Sequence, residues 1–361
     1  MNAIKYLLAG AALTLFSAPM MAQDVQSQID AITKVIVNSK SNPDAAKDQV
    51  KDFIKENKKN AVAIAGVGRA YLDIKDTLNA KKYAEMAIDR DKNNAAGYLL
   101  MGDIEVVNND GGAAATWYQQ ATLMDPKNPQ GYIKYANIYR KRSPELSVQM
   151  LEKLRTVQPD YPVDAEAGHF FYTANRFDKA IEYFSKVDLG KFNENYLTEY
   201  ATATYLSSDS KKSLEISQYG VQKNPRDAAM NRLCFYNYTD LKDYPNALKY
   251  ADALFNKSDS AKFSARDYQY YGYALMGDSA FDQAIAQFEK ALELNSSLND
   301  VKKQLSDAYI AKKDYVKGLA LYDEYLKAVE KPSVGDIDGL AKLMLIRLQV
   351  LQLLTKRRLL L

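Results

Sequence analysis

Apolar positions in residues 267–295, DYQYYGYALMGDSAFDQAIAQFEKALELN, fall into helical spacing twice, with a break between. Tyr268, Tyr271, Gly272 and Leu275 share one face of a first helix, and Ala284, Phe288 and Ala291 share one face of a second. Residues at i, i+3, i+4 and i+7 return to the same side of a helix, and the cluster Gly277-Asp278-Ser279 interrupts that period. The stretch is predicted to be two short amphipathic helices joined by a turn.

The same marks return about every 34 residues. A first unit carries Ile64, Val67-Gly68, Tyr71, Ala80, Ala84 and Ala87; a second carries Tyr98, Met101-Gly102, Ala114, Tyr118, Ala121 and Pro126. A third, with Tyr132, Tyr135-Ala136, Ser147, Leu151 and Pro159, fits when one residue is deleted in its turn near Ser143-Pro144. Gly168, Phe171, Ala180 and Phe184 mark the fourth, Leu197, Tyr200-Ala201, Ser213 and Gly220 the fifth, and Tyr238, Tyr244, Ala247 and Ala251 the sixth. The opening stretch is the seventh, and Leu305, Tyr309, Gly318 and Tyr322 mark the eighth. Small residues are expected where helix A approaches helix B, and the helix-B aromatic is expected to fill the gap to the next unit. In this order of marks the chain resembles the tetratricopeptide repeat family, over roughly residues 61–332. The resemblance implies an all-α fold, an α-α superhelix built as a right-handed solenoid of helix-turn-helix repeats.

Residues 23–60 precede the array and read as a helical hairpin. Asn42-Pro43 lies in its turn, and Lys47, Asp48, Lys51, Asp52, Lys55 and Glu56 form a polar outer face suited to an N-terminal cap. Residues 333–361 begin as a partial ninth unit, with a first helix expected over 334–343. The register then breaks into LMLIRLQVLQLLTKRRLLL, with ten Leu, five Lys or Arg and no acid from Leu340 onward. That abrupt break reads as the loss of a native continuation, with a basic amphipathic docking helix as the other reading.

Residues 1–22 have Lys5, an uncharged apolar run from Tyr6 to Phe16 and small residues before Gln23. This is the order of a secretory signal peptide, with cleavage expected after Ala22. No cysteine stands near the cut to take a lipid, so the mature chain is expected to be exported and, in a Gram-negative source, periplasmic. A formal net charge of +3 gives no global case for nucleic acid or an anionic membrane. The single cysteine, Cys234, rules out an intrachain disulfide, reads as a small buried hydrophobe, and leaves no multi-Cys metal site. No phosphate loop, G-x-S-x-G elbow or H-E-x-x-H is present, and His169 has no second histidine beside it for a triad. No enzyme, cofactor or metal is expected.

What the resemblance implies about function is binding. Lining positions 2, 5, 9 and 12 of helix A fall on His169, Tyr172, Tyr205, Tyr236 and Tyr273, among others. Arg232 and Arg266 are placed at position 2 of units six and seven, with Gln269 at position 5. His169, Tyr172, Tyr205, Arg232, Tyr236, Arg266, Gln269 and Tyr273 are therefore the candidate partner-binding residues. Tyr offers large contact area with few rotatable bonds, and Arg offers a fork for carboxylates. The family's carboxylate clamp is absent, because Asn137 stands alone, with Ile133, Glu166 and Pro162 at the other clamp positions. The expected function is a non-enzymatic scaffold holding a peptide or partner protein in the groove. A glycan- or small-ligand-binding protein that stacks sugars on the tyrosines, and an envelope assembly factor that uses the convex face, are the alternatives. Neither a nucleic-acid partner nor a membrane span after leader removal is expected, and oligomerisation is left open.

Overall fold

A computed structural model of the chain describes residues 20–42 and 44–359. The predicted leader lies outside the described residues except for Met20–Ala22, as does Pro43, expected to open the second helix. The described residues are helical with no strand, arranged as consecutive antiparallel helix pairs. They divide into two compact units, ending and beginning at Ala174 and Asn175, inside the fourth predicted repeat.

The first unit holds α1 (Met20–Asn38), α2 (Asp44–Glu56), α3 (Ala61–Asp73), α4 (Thr77–Arg90), α5 (Ala95–Val107), α6 (Gly111–Met124), α7 (Pro129–Tyr139), α8 (Pro144–Val157) and α9 (Val163–Thr173). From α3 onward each helix packs on its neighbours in sequence, and α1 packs on α3. Ile29, Ile32, Ile36, Val50 and Phe53 from α1 and α2 join one core with Ile64, Val67, Ala80 and Leu100.

The second unit holds α10 (Phe177–Phe184), α11 (Glu194–Leu206), α12 (Ser210–Lys223), α13 (Ala228–Asp240), α14 (Tyr244–Asp252), α15 (Ala265–Gly277), α16 (Phe281–Leu294), α17 (Asn299–Ala311), α18 (Tyr315–Ala328) and α19 (Val334–Leu359). Helix α13 packs on both α11 and α15 as well as on its own partner, so these A helices form a continuous wall. A five-residue π turn, Ala253–Lys257, continues α14 and lengthens the connection to α15.

The small-residue marks have a direct packing cause. A Cβ on Gly102 would lie 2.3 Å from the Tyr118 ring, and one on Gly272 would lie 2.3 Å from the Phe288 ring. The helix-B aromatic therefore seats on the glycine of its own unit, and only secondarily reaches the next one, where Phe288 shares a core with Val301 and Leu305. Cys234 is fully buried, its thiol donating to Ser217 Oγ at 3.3 Å and pushed up to about 12 by burial.

The A-to-B turns share one backbone scheme. Lys75, Asn109, Ser208, Lys242, Ser279 and Lys313 adopt left-handed backbone, with φ between 60° and 67°. The next residue's N–H then reaches back to helix A, as in Asp76 N to Tyr71 O at 2.9 Å and Ala280 N to Leu275 O at 2.9 Å. That is the bond that satisfies an orphan carbonyl at a helix end. In five of these turns that next residue is Asp, and its carboxylate caps helix B, as Asp76 does for Asn79 N and Asp314 for Lys317 N. Gly277 and Gly111 are already helical. Gly277 is small because the Tyr244 ring lies 2.3 Å from where its Cβ would be.

The ninth unit departs from this scheme. Where Lys313 turns the eighth pair, the residue 34 places on is Arg347, inside α19. No turn former interrupts that sequence, so the helix expected over 334–343 runs on unbroken to Leu359, leaving Met344, Leu345 and Leu348 exposed. Among the described residues no helix, α19 included, is long and apolar enough to cross a membrane.

Candidate functional site

The A-helix wall of the second unit is held together by buried carboxylates. Ser264 and Asp267 form a capping box at the start of α15, with Ser264 N donating to Asp267 Oδ2 at 2.7 Å. Asp267 Oδ1 accepts Arg232 Nε at 2.6 Å and the Tyr236 hydroxyl at 2.8 Å, both from α13. Arg232 also donates to the Lys262 carbonyl at 2.8 Å. The junction between α17 and α19 repeats the device. Asp336 sits in the box with Ser333 and accepts Lys303 Nζ at 2.7 Å and Tyr325 OH at 3.2 Å. The Lys303 ammonium, then the Ser333 hydrogen bonds, hold the Asp336 carboxyl well below the usual carboxylate range.

These contacts correct the expected register. Helices α13 and α15 start at Ala228 and Ala265, 37 residues apart rather than 34, because the π turn adds length. Arg232 is thus at the fifth position of its unit, in line with Gln269 and Lys303, and Arg266 at the second. Arg232 is a clasp between α13 and α15, with two of its three nitrogens already engaged, rather than a ligand fork. Tyr236 is 5% exposed, with its hydroxyl given to Asp267, so it supports the wall rather than lining it. Burial, and then the Asp267 charge, raise its pKa.

Between α15 and α17 the clasp is missing. The position of Arg232 is held by Gln269, and that of Asp267 by Val301, which is fully buried. Gln269 bonds within its own helix instead, donating to the Tyr273 hydroxyl one turn on at 2.6 Å. Here a groove of about 640 Å³ opens, lined by Arg266, Gln269, Tyr270 and Tyr273 of α15 and by Asn295 and Leu298 from the α16–α17 turn. Tyr273 is half-buried, edge-on to Phe288 with ring centres 5.7 Å apart, and burial raises its pKa.

Arg266 stands at the rim of this groove on a bed of rings. Its guanidinium carbon is 5.6 Å from the ring centres of Tyr205 and Tyr236 and 5.4 Å from that of Tyr270. Tyr236 and Tyr270 stack with centres 4.1 Å apart. The Tyr205 and Tyr270 hydroxyls share a hydrogen bond of 2.7 Å, and Arg266 Nη2 donates to Tyr205 OH at 3.0 Å. Desolvation works against the guanidinium charge, but the Tyr270 hydroxyl and the surrounding rings outweigh it and raise the pKa. Among the described residues no carboxylate forms an ion pair with Arg266. Asp240, at the end of α13, acts on it from farther off; desolvation raises Asp240, opposed by Tyr270, Arg266 and Tyr205.

The structure thus gathers Tyr205, Tyr236 and Arg266 into one cluster and sets Gln269 and Tyr273 beside it. His169 and Tyr172 lie on α9 in the first unit, both half-buried, with His169 6.1 Å from the Phe170 ring. Tyr270, Asn295 and Leu298 lie outside the expected set. Tyr270 occupies the sixth position of its helix, apart from the family's four lining positions, and only the density of tyrosines in DYQYYGY signals it. Asn295 and Leu298 belong to the turn after helix B, which helix-A counting never reaches. Among the described residues no group of three or more His, Cys, Asp or Glu is placed to hold a metal ion.

Residues 272–332 match the family described as tetratricopeptide repeat, a match that begins inside α15 after Arg266, Gln269 and Tyr270 and takes in Tyr273, Asn295, Leu298 and Val301. No curated protein matches the chain. Among solved structures, a tetratricopeptide repeat protein from Parabacteroides merdae is 17% identical, with a TM-score of 0.41 over 69% of this chain and 98% of its own. The C-terminal part of a repeat-containing protein from Cytophaga hutchinsonii is 18% identical, with a TM-score of 0.43 over 54% of this chain and 78% of its own. The Cut9–Hcn1 hetero-tetramer of the APC/C is 14% identical, with a TM-score of 0.41 over 94% of this chain and 58% of its own.

Proposed function

We propose that the chain is a non-enzymatic interaction scaffold that captures a peptide segment of a partner protein on the A-helix wall of its second unit, at the open junction between α15 and α17. One observation carries this reading. The clasp that closes the junctions on either side is replaced by Gln269 and Val301, and a groove lined by Tyr270, Tyr273, Asn295 and Leu298 stands in its place. Aromatic rings fixed by their neighbours give a peptide contact area at low entropic cost. A sugar-stacking function is less well served, because Tyr236 and Tyr270 turn ring faces to each other and to Arg266.

The test is selection of extended peptides from a random display library on the full chain, with affinities then measured on variants. Tyr273→Ala and Leu298→Asp should each weaken selected peptides about tenfold or more, the size of an interface hot spot. Leu214→Asp, on α12 and outside the groove lining, should leave them unchanged. Peptides that bind all three variants like the parent would sink the reading. We further propose that the chain acts outside the cytoplasm after removal of residues 1–22, which the order of charge, apolar run and small residues supports. N-terminal sequencing of the exported chain should start at Gln23, and a start at Met1 would refute it.

A further inference from the structure

Resting on that reading of the groove, we propose that Arg266 is the receptor for a carboxylate carried by the bound peptide, either an acidic side chain or the free C-terminus. Arg232 and Lys303, the cations that reach into the wall on either side of the groove, already have an acid. Arg232 is bound to Asp267 and Lys303 to Asp336, in each case by a carboxylate that is nearly or fully buried. Arg266 alone among these three forms no ion pair: tyrosines surround it where the others meet aspartate, and Asp240 acts on it only from farther off. A cation over ring faces is stabilised without being neutralised. It keeps its charge and keeps donors for an incoming anion.

The geometry also fixes how the fork is presented. Three ring centres lie within 5.6 Å of the guanidinium carbon, and the Tyr205 hydroxyl holds one nitrogen. The Tyr205 hydroxyl is in turn tied to that of Tyr270, whose ring is stacked on Tyr236. Arg266 therefore loses part of its side-chain freedom before any ligand arrives, which is the cost that usually offsets a surface ion pair. Asp240 acts on the cluster without forming an ion pair with Arg266. Desolvation raises the Asp240 carboxyl, opposed by the Tyr270 hydroxyl, the Arg266 guanidinium and the Tyr205 hydroxyl.

The experiment uses peptides selected on the full chain, each made in three forms: parent, C-terminally amidated, and with Asp and Glu changed to Asn and Gln. Affinities are measured against the parent protein and against Arg266→Gln. The parent protein should lose at least about tenfold on one of the two carboxylate-free forms, identifying the source of the anion. Arg266→Gln should bind the parent peptide as weakly as that form, so that the discrimination disappears. Arg266→Lys should recover only part, since an ammonium lacks the fork. Unchanged melting of Arg266→Gln establishes that the loss is local. Discrimination that persists in Arg266→Gln, or peptides indifferent to both carboxylate removals, overturns the proposal while leaving the groove standing if Tyr273→Ala still weakens them. Peptides indifferent to Tyr273→Ala as well overturn the groove reading itself.

Discussion

Two successive junctions on one wall, α13–α15 and α15–α17, carry different residues at corresponding helix positions and end differently. In the first, Arg232 and Tyr236 reach a buried Asp267 that also caps its own helix. In the second, the positions of Arg232 and Asp267 hold Gln269 and Val301. The next junction, α17–α19, reverts to the first plan through Lys303 and Asp336. A solenoid needs each unit to bury its face against its neighbour. Of these three junctions, the one without the clasp is where a groove opens, with Arg266 at its rim forming no ion pair. The difference teaches where to look for function in a repeat: at the unit that omits a stabilising device its neighbours keep.

The largest effect should come from breaking a closed junction. Arg232→Met removes the cation from a carboxylate that is fully buried, and a buried charge left without its partner costs roughly 3 kcal/mol or more. Gln269→Met, at the equivalent position of the open junction, should change stability by less than about 0.5 kcal/mol. Urea titration of the two variants measures both. Equal costs would mean that the clasp is ornamental and the comparison empty.

Closing the open junction is the converse. Val301→Asp alone should destabilise by roughly 3 kcal/mol, because it buries a charge with only Gln269 opposite. Adding Gln269→Arg should recover about 1–3 kcal/mol of that, the coupling expected of neighbours in one network. The double variant should also lose selected peptides, since the new pair lies across the groove. A double-mutant cycle with no coupling would show that the two junctions are not equivalent in backbone.

Acid should discriminate next. Asp336 is held below the ordinary range chiefly by Lys303, and Asp103 in the first unit is likewise lowered, its burial outweighed by Arg69 and by Lys134 at 2.8 Å. A carboxyl lowered on folding stabilises the native state above its unfolded pKa of about 3.9, and that contribution is lost as pH falls below it. Stability should therefore drop steeply below about pH 4, and Asp103→Asn should flatten that slope while lowering stability at pH 7. A slope unchanged in Asp103→Asn would remove the carboxylate from the account.

How much of this was legible in the sequence depends on what periodicity can carry. Gly102, Gly272, Ala284 and Ala291 are readable because packing forces small side chains at a fixed spacing, and a periodic reading finds fixed spacings. Arg232 misleads for the same reason: counting by 34 sets it level with Arg266, while the π turn at Ala253–Lys257 has moved the true register to Gln269. Tyr270 escapes notice because its role depends on Tyr236 and Tyr205, two and four helices back along the chain. The missing clasp is visible as Gln269 and Val301 only once Asp267 and Asp336 are known to be clasped. Absence has no motif.

The smallest effect concerns the turn between α15 and α16, at the opposite end of α15 from Arg266. Ser279 holds left-handed backbone at φ 61° between α15 and α16, and Lys242 does so at φ 61° between α13 and α14. For a residue with a Cβ this conformation costs roughly 1–2 kcal/mol that glycine avoids. Glycine returns about 0.4–1 kcal/mol of that through its freer unfolded chain. Ser279→Gly and Lys242→Gly should each stabilise by about 0.5 kcal/mol. The two turns differ at their next residue: Asp243 caps α14 by accepting Asn246 N at 3.3 Å, whereas Ala280 offers α16 no such acceptor. Ala280→Asp should therefore add about 1 kcal/mol at the start of α16, and Asp243→Ala should remove about as much at the start of α14. If Ala280→Asp stabilises the chain and selected peptides still bind, the missing cap is separate from the open junction, and its groove is set by Gln269 and Val301 alone. If peptides weaken together with the gain in stability, the uncapped start of α16 is part of how the groove admits a ligand, and the omitted device extends from the clasp to the cap.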